Sequence, residues 1–92
     1  MMETTECFER GVALRLLAKE LVLEFMATKS ECAIGALGKT QASIFKECGL
    51  DWGEYPTATS SNQQYWCVAL LRELEKEGKV VRNSKSKLWT LR

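Results

Sequence analysis

The sequence predicts a mostly helical α+β domain, and three stretches carry that prediction. Residues 5–28 have the length and leucine content of a long helix, residues 61–77 repeat an apolar stripe at helical period, and residues 79–91 hold two short β-prone runs around a polar turn. With 92 residues the chain has room for one domain and a modest core. No internal repeat, low-complexity tract or long linker divides it.

The first helix is apolar on two sides. Projected at about 100° per residue, Leu14, Leu17, Ala18, Leu21, Val22 and Phe25 form one side, and Phe8, Val12, Leu16, Leu23 and Met26 form a second. Glu9, Ala13, Glu20 and Glu24 make the clear solvent stripe, and Gly11 is a local weak point. A domain this small has one core. Either the helix is central in the fold, or its second side meets a partner, in which case a homodimer through Phe8, Val12, Leu16, Leu23 and Met26 is expected.

Residues 29–39 contain Gly35 and Gly38 and little periodicity, so they read as a connection with a short third strand at 32–36. Thr40 caps a second helix over 41–48, closed by Gly49, with Ile44 and Phe45 inward. Residues 50–59 hold Gly53 and Pro56 and cannot continue a helix; Trp52 and Tyr55 are expected to pin them to the body.

Ser60, Ser61 and Asn62 are competent caps for the third helix, which stops at Gly78. Trp66, Leu70 and Leu74 recur every four residues with Cys67 and Leu71 beside them, whereas Tyr65, Val68, Ala69, Arg72 and Lys76 share the opposite side. The expected core is therefore Trp66, Leu70, Leu74, Leu17, Leu21, Ile44, Phe45 and Trp89.

The net charge of +1 conceals an asymmetry. Residues 1–77 hold 8 basic and 12 acidic side chains, a net of about −4, whereas residues 78–92 hold 5 basic and none acidic, about +5. Positive charge is concentrated in the hairpin.

Several chemistries are not expected. Cys7, Cys32, Cys48 and Cys67 form no C-x-x-C pair and histidine is absent, so free thiols and no metal site are the reading, and a cytoplasmic location follows. No run approaches the length of a membrane span. Residues 33–40 fit a relaxed phosphate-loop pattern ending in Gly38, Lys39 and Thr40, but the chain lacks the βαβ alternation such a loop needs, so neither a nucleotide nor another cofactor is expected. Without a histidine base or an activated cysteine, no enzyme activity is expected.

A helix delivered into a basic hairpin resembles the second half of a winged helix-turn-helix domain. The Asn62 to Trp66 spacing, the Leu-rich helix after it, Gly78 and the closing Leu88-Trp89-Thr90-Leu91 are most similar to the N-terminal winged-helix domain of Mrr-type restriction endonucleases. The likeness covers roughly residues 40–92. The helix between Trp66 and Gly78 is about a turn longer than in that family, and 92 residues leave no room for a nuclease domain, so restriction activity is not expected.

The resemblance implies that the third helix is a reader and the hairpin a wing. Asn62, Gln64, Tyr65 and Arg72 would then face base edges in the major groove of duplex DNA, while Arg82, Lys85 and Lys87 lie along phosphates. Lys39 and Thr40, at the start of the second helix, together with Ser60, Ser61 and Asn83, would add backbone contacts. Transcription regulation is the role expected of such a protein. The alternative is a protein-interaction or dimerisation module without DNA binding, which the near-neutral total charge and the acids Glu73, Glu75 and Glu77 favour.

Overall fold

The computed structural model describes residues 3–51 and 61–92, with the side chains of residues 61–65 outside that description. Helix α1 (Thr4–Thr28) runs for 25 residues, about 37 Å. A 3-10 turn (Ser30–Cys32) leads toward α2 (Gln41–Glu47), and α3 (Ser61–Lys76) leads into β1 (Val80–Arg82) and β2 (Trp89–Leu91). Three helices and a small two-stranded antiparallel sheet make an α+β fold among the described residues.

Local chemistry sets the ends of these elements. The Thr40 hydroxyl accepts from the Ser43 N–H at 3.1 Å and so caps α2. At the end of α3, Gly78 adopts φ +76, its N–H reaching Glu75 O and the Lys79 N–H reaching Leu74 O, both at 3.0 Å. This paired closure satisfies carbonyls that the helix leaves open, and it turns the chain directly into β1. The strands pair Val80 with Leu91, Val81 with Thr90 and Arg82 with Trp89.

The core gathers Ala18, Val22 and Met26 of α1, Cys32, Ile44 and Phe45, Cys67, Leu70, Leu71 and Leu74 of α3, and Val80 and Trp89 of the hairpin. Its line along α1, at every fourth residue, takes Ala18 and Val22 from the first of the two apolar sides and Met26 from the second. Three expected core residues are exposed: Leu17 at 60% and Leu21 at 39%, beside that line on α1, and Trp66 of α3 at 46%, the last resting edge-on against Phe45 with ring centroids 5.3 Å apart. Met26, expected on a partner-facing side, is instead fully buried in this chain's own core, and Leu23 is half-buried against it. The reason is geometric: the i, i+4, i+8 line through Ala18, Val22 and Met26 is the side of α1 buried against the 3-10 turn, α2, α3 and β2.

The third strand expected at residues 32–36 is also corrected. Cys32 closes a 3-10 turn, and the Ala36 N–H bonds back to Ala33 O at 2.9 Å, a turn that leaves no extended run there. The β contact falls later, as a single antiparallel bridge between Lys39 and Trp89. Gly38 makes that bridge sterically possible. At φ +93 it lies so close to the hairpin that a Cβ would stand 2.8 Å from Trp89 O and 2.9 Å from Leu88 Cβ.

Candidate functional site

Trp89 is the point at which the elements meet. It is fully buried, pairs across the sheet with Arg82 and bridges to Lys39 through bonds of 2.8 and 3.1 Å. Two guanidiniums lie over its ring: Arg82, its cross-strand neighbour, at 5.8 Å from the ring centroid and Arg72 of α3 at 5.4 Å. Each contact is worth roughly 0.5–2 kcal/mol depending on desolvation. Arg82 Nε and the indole Nε1 are buried without a hydrogen-bond acceptor among the described residues, a cost that the ring contacts offset only in part.

This arrangement joins the outer face of α3 to the hairpin. Ala69, Arg72 and Lys76 are exposed on α3, Val68 is half-buried beside them, and Cys67, Leu70, Leu71 and Leu74 hold the opposite face in the core. Arg72 also pairs with Glu75 at 2.8 Å. That exposed i, i+3 pair is worth about 0–1 kcal/mol, so an external acceptor could displace Glu75 at small cost. Asn62, Gln64 and Tyr65 belong to α3, but their side chains lie outside the described residues, as do the Ser61 side chain and Ser60, Trp52 and Tyr55.

The hairpin turn displays its lysines. The Asn83 side-chain oxygen accepts from the Lys85 N–H at 2.8 Å and the Ser86 N–H at 2.9 Å, closing an Asx-type turn. Lys85 and Lys87 are exposed, and Lys87 takes the left-handed conformation at φ +66. The Asn83 oxygen is thus already engaged in organising the turn.

Lys39 and Thr40 are less available than the sequence suggested. The Lys39 ammonium pairs with Glu47 at 2.7 Å and Glu31 at 3.2 Å, and its side chain is 14% exposed. These contacts, the Glu47 hydrogen bond foremost, raise the Lys39 pKa, while the same bond and one from Ser43 hold the Glu47 carboxyl low. Lys39 is a tie between α2 and the connection before it, and the Thr40 hydroxyl is occupied by its cap. Phosphate binding at the glycine pattern of residues 33–40 has a simpler substitute in the Gly38 approach to Trp89.

Sequence reasoning missed how the acids of α3 are placed. Lys19 of α1 bonds Glu77 and lies 3.7 Å from Glu73, drawing both carboxylates toward α1. The bond raises the Lys19 pKa and lowers that of Glu77. Beside them a pocket of about 200 Å³ is lined by Arg15, Lys19, Trp66, Ala69, Leu70 and Glu73. The signal that could have found Lys19 is its spacing from Arg15, one turn away on the same side of α1.

Among the described residues no helix is long and apolar enough to cross a membrane, and no group of three or more His, Cys, Asp or Glu could hold a metal ion. Comparison with protein-family models, curated proteins and solved structures finds no match for this chain.

Proposed function

We propose that this chain is a winged helix-turn-helix domain that binds duplex DNA, with α3 in the major groove and the hairpin turn along the phosphates. The observation that carries the reading is the meeting of Arg72 and Arg82 on Trp89, because it makes the exposed side of α3 continuous with a segment holding five cations and no acid. Support comes also from the element order, three helices followed by a hairpin, and from the Lys39 bridge in the place of a short third strand. Glu73 and Glu77 turn toward Lys19, which weakens the objection that acids on α3 would meet phosphates. In this reading Arg72, with Asn62, Gln64 and Tyr65, supplies sequence choice, whereas Arg82, Lys85 and Lys87 supply affinity. A cytoplasmic regulator of transcription is the role that fits it.

The test is duplex affinity measured against salt. Each phosphate contact contributes a slope of about −0.9 in log affinity against log salt, so neutralising Lys85 and Lys87 together should lower the slope by about 2 on every duplex. Arg72→Ala should cost about 1–3 kcal/mol on a preferred site and much less on unrelated DNA. Absence of binding at low salt would sink the proposal. The second reading, an interaction module, is favoured by the exposed leucines of α1, and it predicts self-association or partner binding with no duplex affinity.

A further inference from the structure

The first half of α1 touches little of the body. From Glu3 to Leu17 every residue is exposed except half-buried Val12, and the core line begins only at Ala18. A helical segment of that length, interrupted by Gly11, is marginal in water without a packing partner. On it and beyond it, Leu14 (66% exposed), Leu17 and Leu21 follow one another at spacings of three and four, the seam spacing of a helix pair. This seam differs from the Phe8, Val12, Leu16, Leu23 and Met26 side, which loses Met26 to the core.

We propose that the Leu14, Leu17 and Leu21 seam is a homodimer interface in which α1 packs antiparallel against α1 of a second copy. Charge selects the orientation. A parallel pair would stack Glu3, Arg10 and Glu24 of the seam against their own copies, whereas an antiparallel pair sets Arg10 within a turn of Glu24 of the partner copy. Opposed helix dipoles favour the same choice. The register follows from the leucines. Leu14 of each copy faces Leu17 of the other, which sets Leu21 opposite Arg10 and Cys7 opposite Glu24 of the partner copy and overlaps the helices along nearly their full length, about 37 Å. An overlap of that length covers roughly 1,000 Å² or more in total, the lower size of a stable specific interface. The proposal does not rest on the DNA-binding reading.

Sedimentation equilibrium of the full chain tests it. The expected result is a dimer in the micromolar range, and an association constant about 100-fold lower for Leu14→Glu with Leu17→Glu. A wild-type chain that stays monomeric at millimolar concentration, or a double variant that dimerises as wild type does, overturns the interface. Glu24→Cys then checks the register without disturbing the leucines. Mild oxidation should join Cys7 of one copy to the new thiol of the other, read by peptide mass. Cys7 joined to Cys7 overturns the antiparallel pairing, and no cross-link in a protein that sediments as a dimer overturns this register.

Discussion

Gly38→Ala should destabilise this protein far more than an alanine at any open glycine. At φ +93 an L-residue is strained by about 1–2 kcal/mol, and its Cβ would stand 2.8 Å from Trp89 O and 3.1 Å from Trp89 N, both backbone atoms that cannot swing aside. Relief requires Lys39 to part from the hairpin. The Lys39 N–H to Trp89 O and Trp89 N–H to Lys39 O bonds, at 3.1 and 2.8 Å, would lengthen or break, at about 1 kcal/mol each. Restricting the unfolded chain returns about 0.4–1 kcal/mol. The expected net loss is therefore about 2–4 kcal/mol, a fall of roughly 10–20 °C in Tm for a domain of this size. Gly35→Ala is the control, since it shares a positive φ of +81 but has nothing within 4 Å of the added carbon, so about 1 kcal/mol is expected. Urea unfolding followed by far-UV circular dichroism measures both. If the two variants lie within about 0.5 kcal/mol of each other, the close approach is not what makes glycine necessary at position 38.

Leu71→Ala, at a fully buried site of α3, should cost about 2–5 kcal/mol in the same assay, while Leu16→Ala on exposed α1 should stay within about 0.5 kcal/mol. Equal losses would mean that α1 is buried in solution on a side left open here. The Glu47 carboxyl is held low by Lys39, so its contribution is present above the unfolded pKa of about 4.3 and lost as pH falls through the lower folded value. Glu47→Gln should therefore flatten the acid limb of the stability profile, leaving the part due to Glu77 with Lys19; an unchanged limb would count against the cluster. The Lys39 pKa is raised, so the matching loss on the basic side begins above about 10.4 and completes as pH passes the folded value. Burial pushes the Cys67 thiol up to about 12 and Cys48 to about 11, so at pH 8 a thiol reagent should modify exposed Cys7 quickly and Cys67 only through unfolding. Labelling of Cys67 as fast as Cys7 would contradict the packing of α3.

Much of the secondary structure was written locally. Thr40 before a short apolar period, Gly78 after a long one and alternating β-formers around Asn83 each encode their element through capping, left-handed closure and turn chemistry, which involve neighbours a few residues apart. The inward face of α3 was legible for the same reason. Its apolar residues outnumber its polar ones on one side only, and Leu70, Leu71 and Leu74 are buried. Trp66, at the margin of that stripe, was not, because a residue on the edge is decided by what packs beside it.

Other features had no local signature. With leucines on both sides, α1 satisfied two helical faces equally, and the choice fell to the packing of the Ala18, Val22 and Met26 line against elements distant in sequence. Lys39 looked like a free cation in a glycine-rich loop until the fold brought Glu31 and Glu47 within 3.2 and 2.7 Å of it. Gly38 suggested an anion cradle until Trp89, 51 positions away, was seen to run against it. The sequence alone determined the three helices, the two hairpin strands and where positive charge accumulates, because propensity, capping and composition act at short range. Which face is buried, which charge is paired and which glycine is indispensable were decided by the tertiary structure, because they depend on atoms that chain distance keeps apart and packing brings into contact.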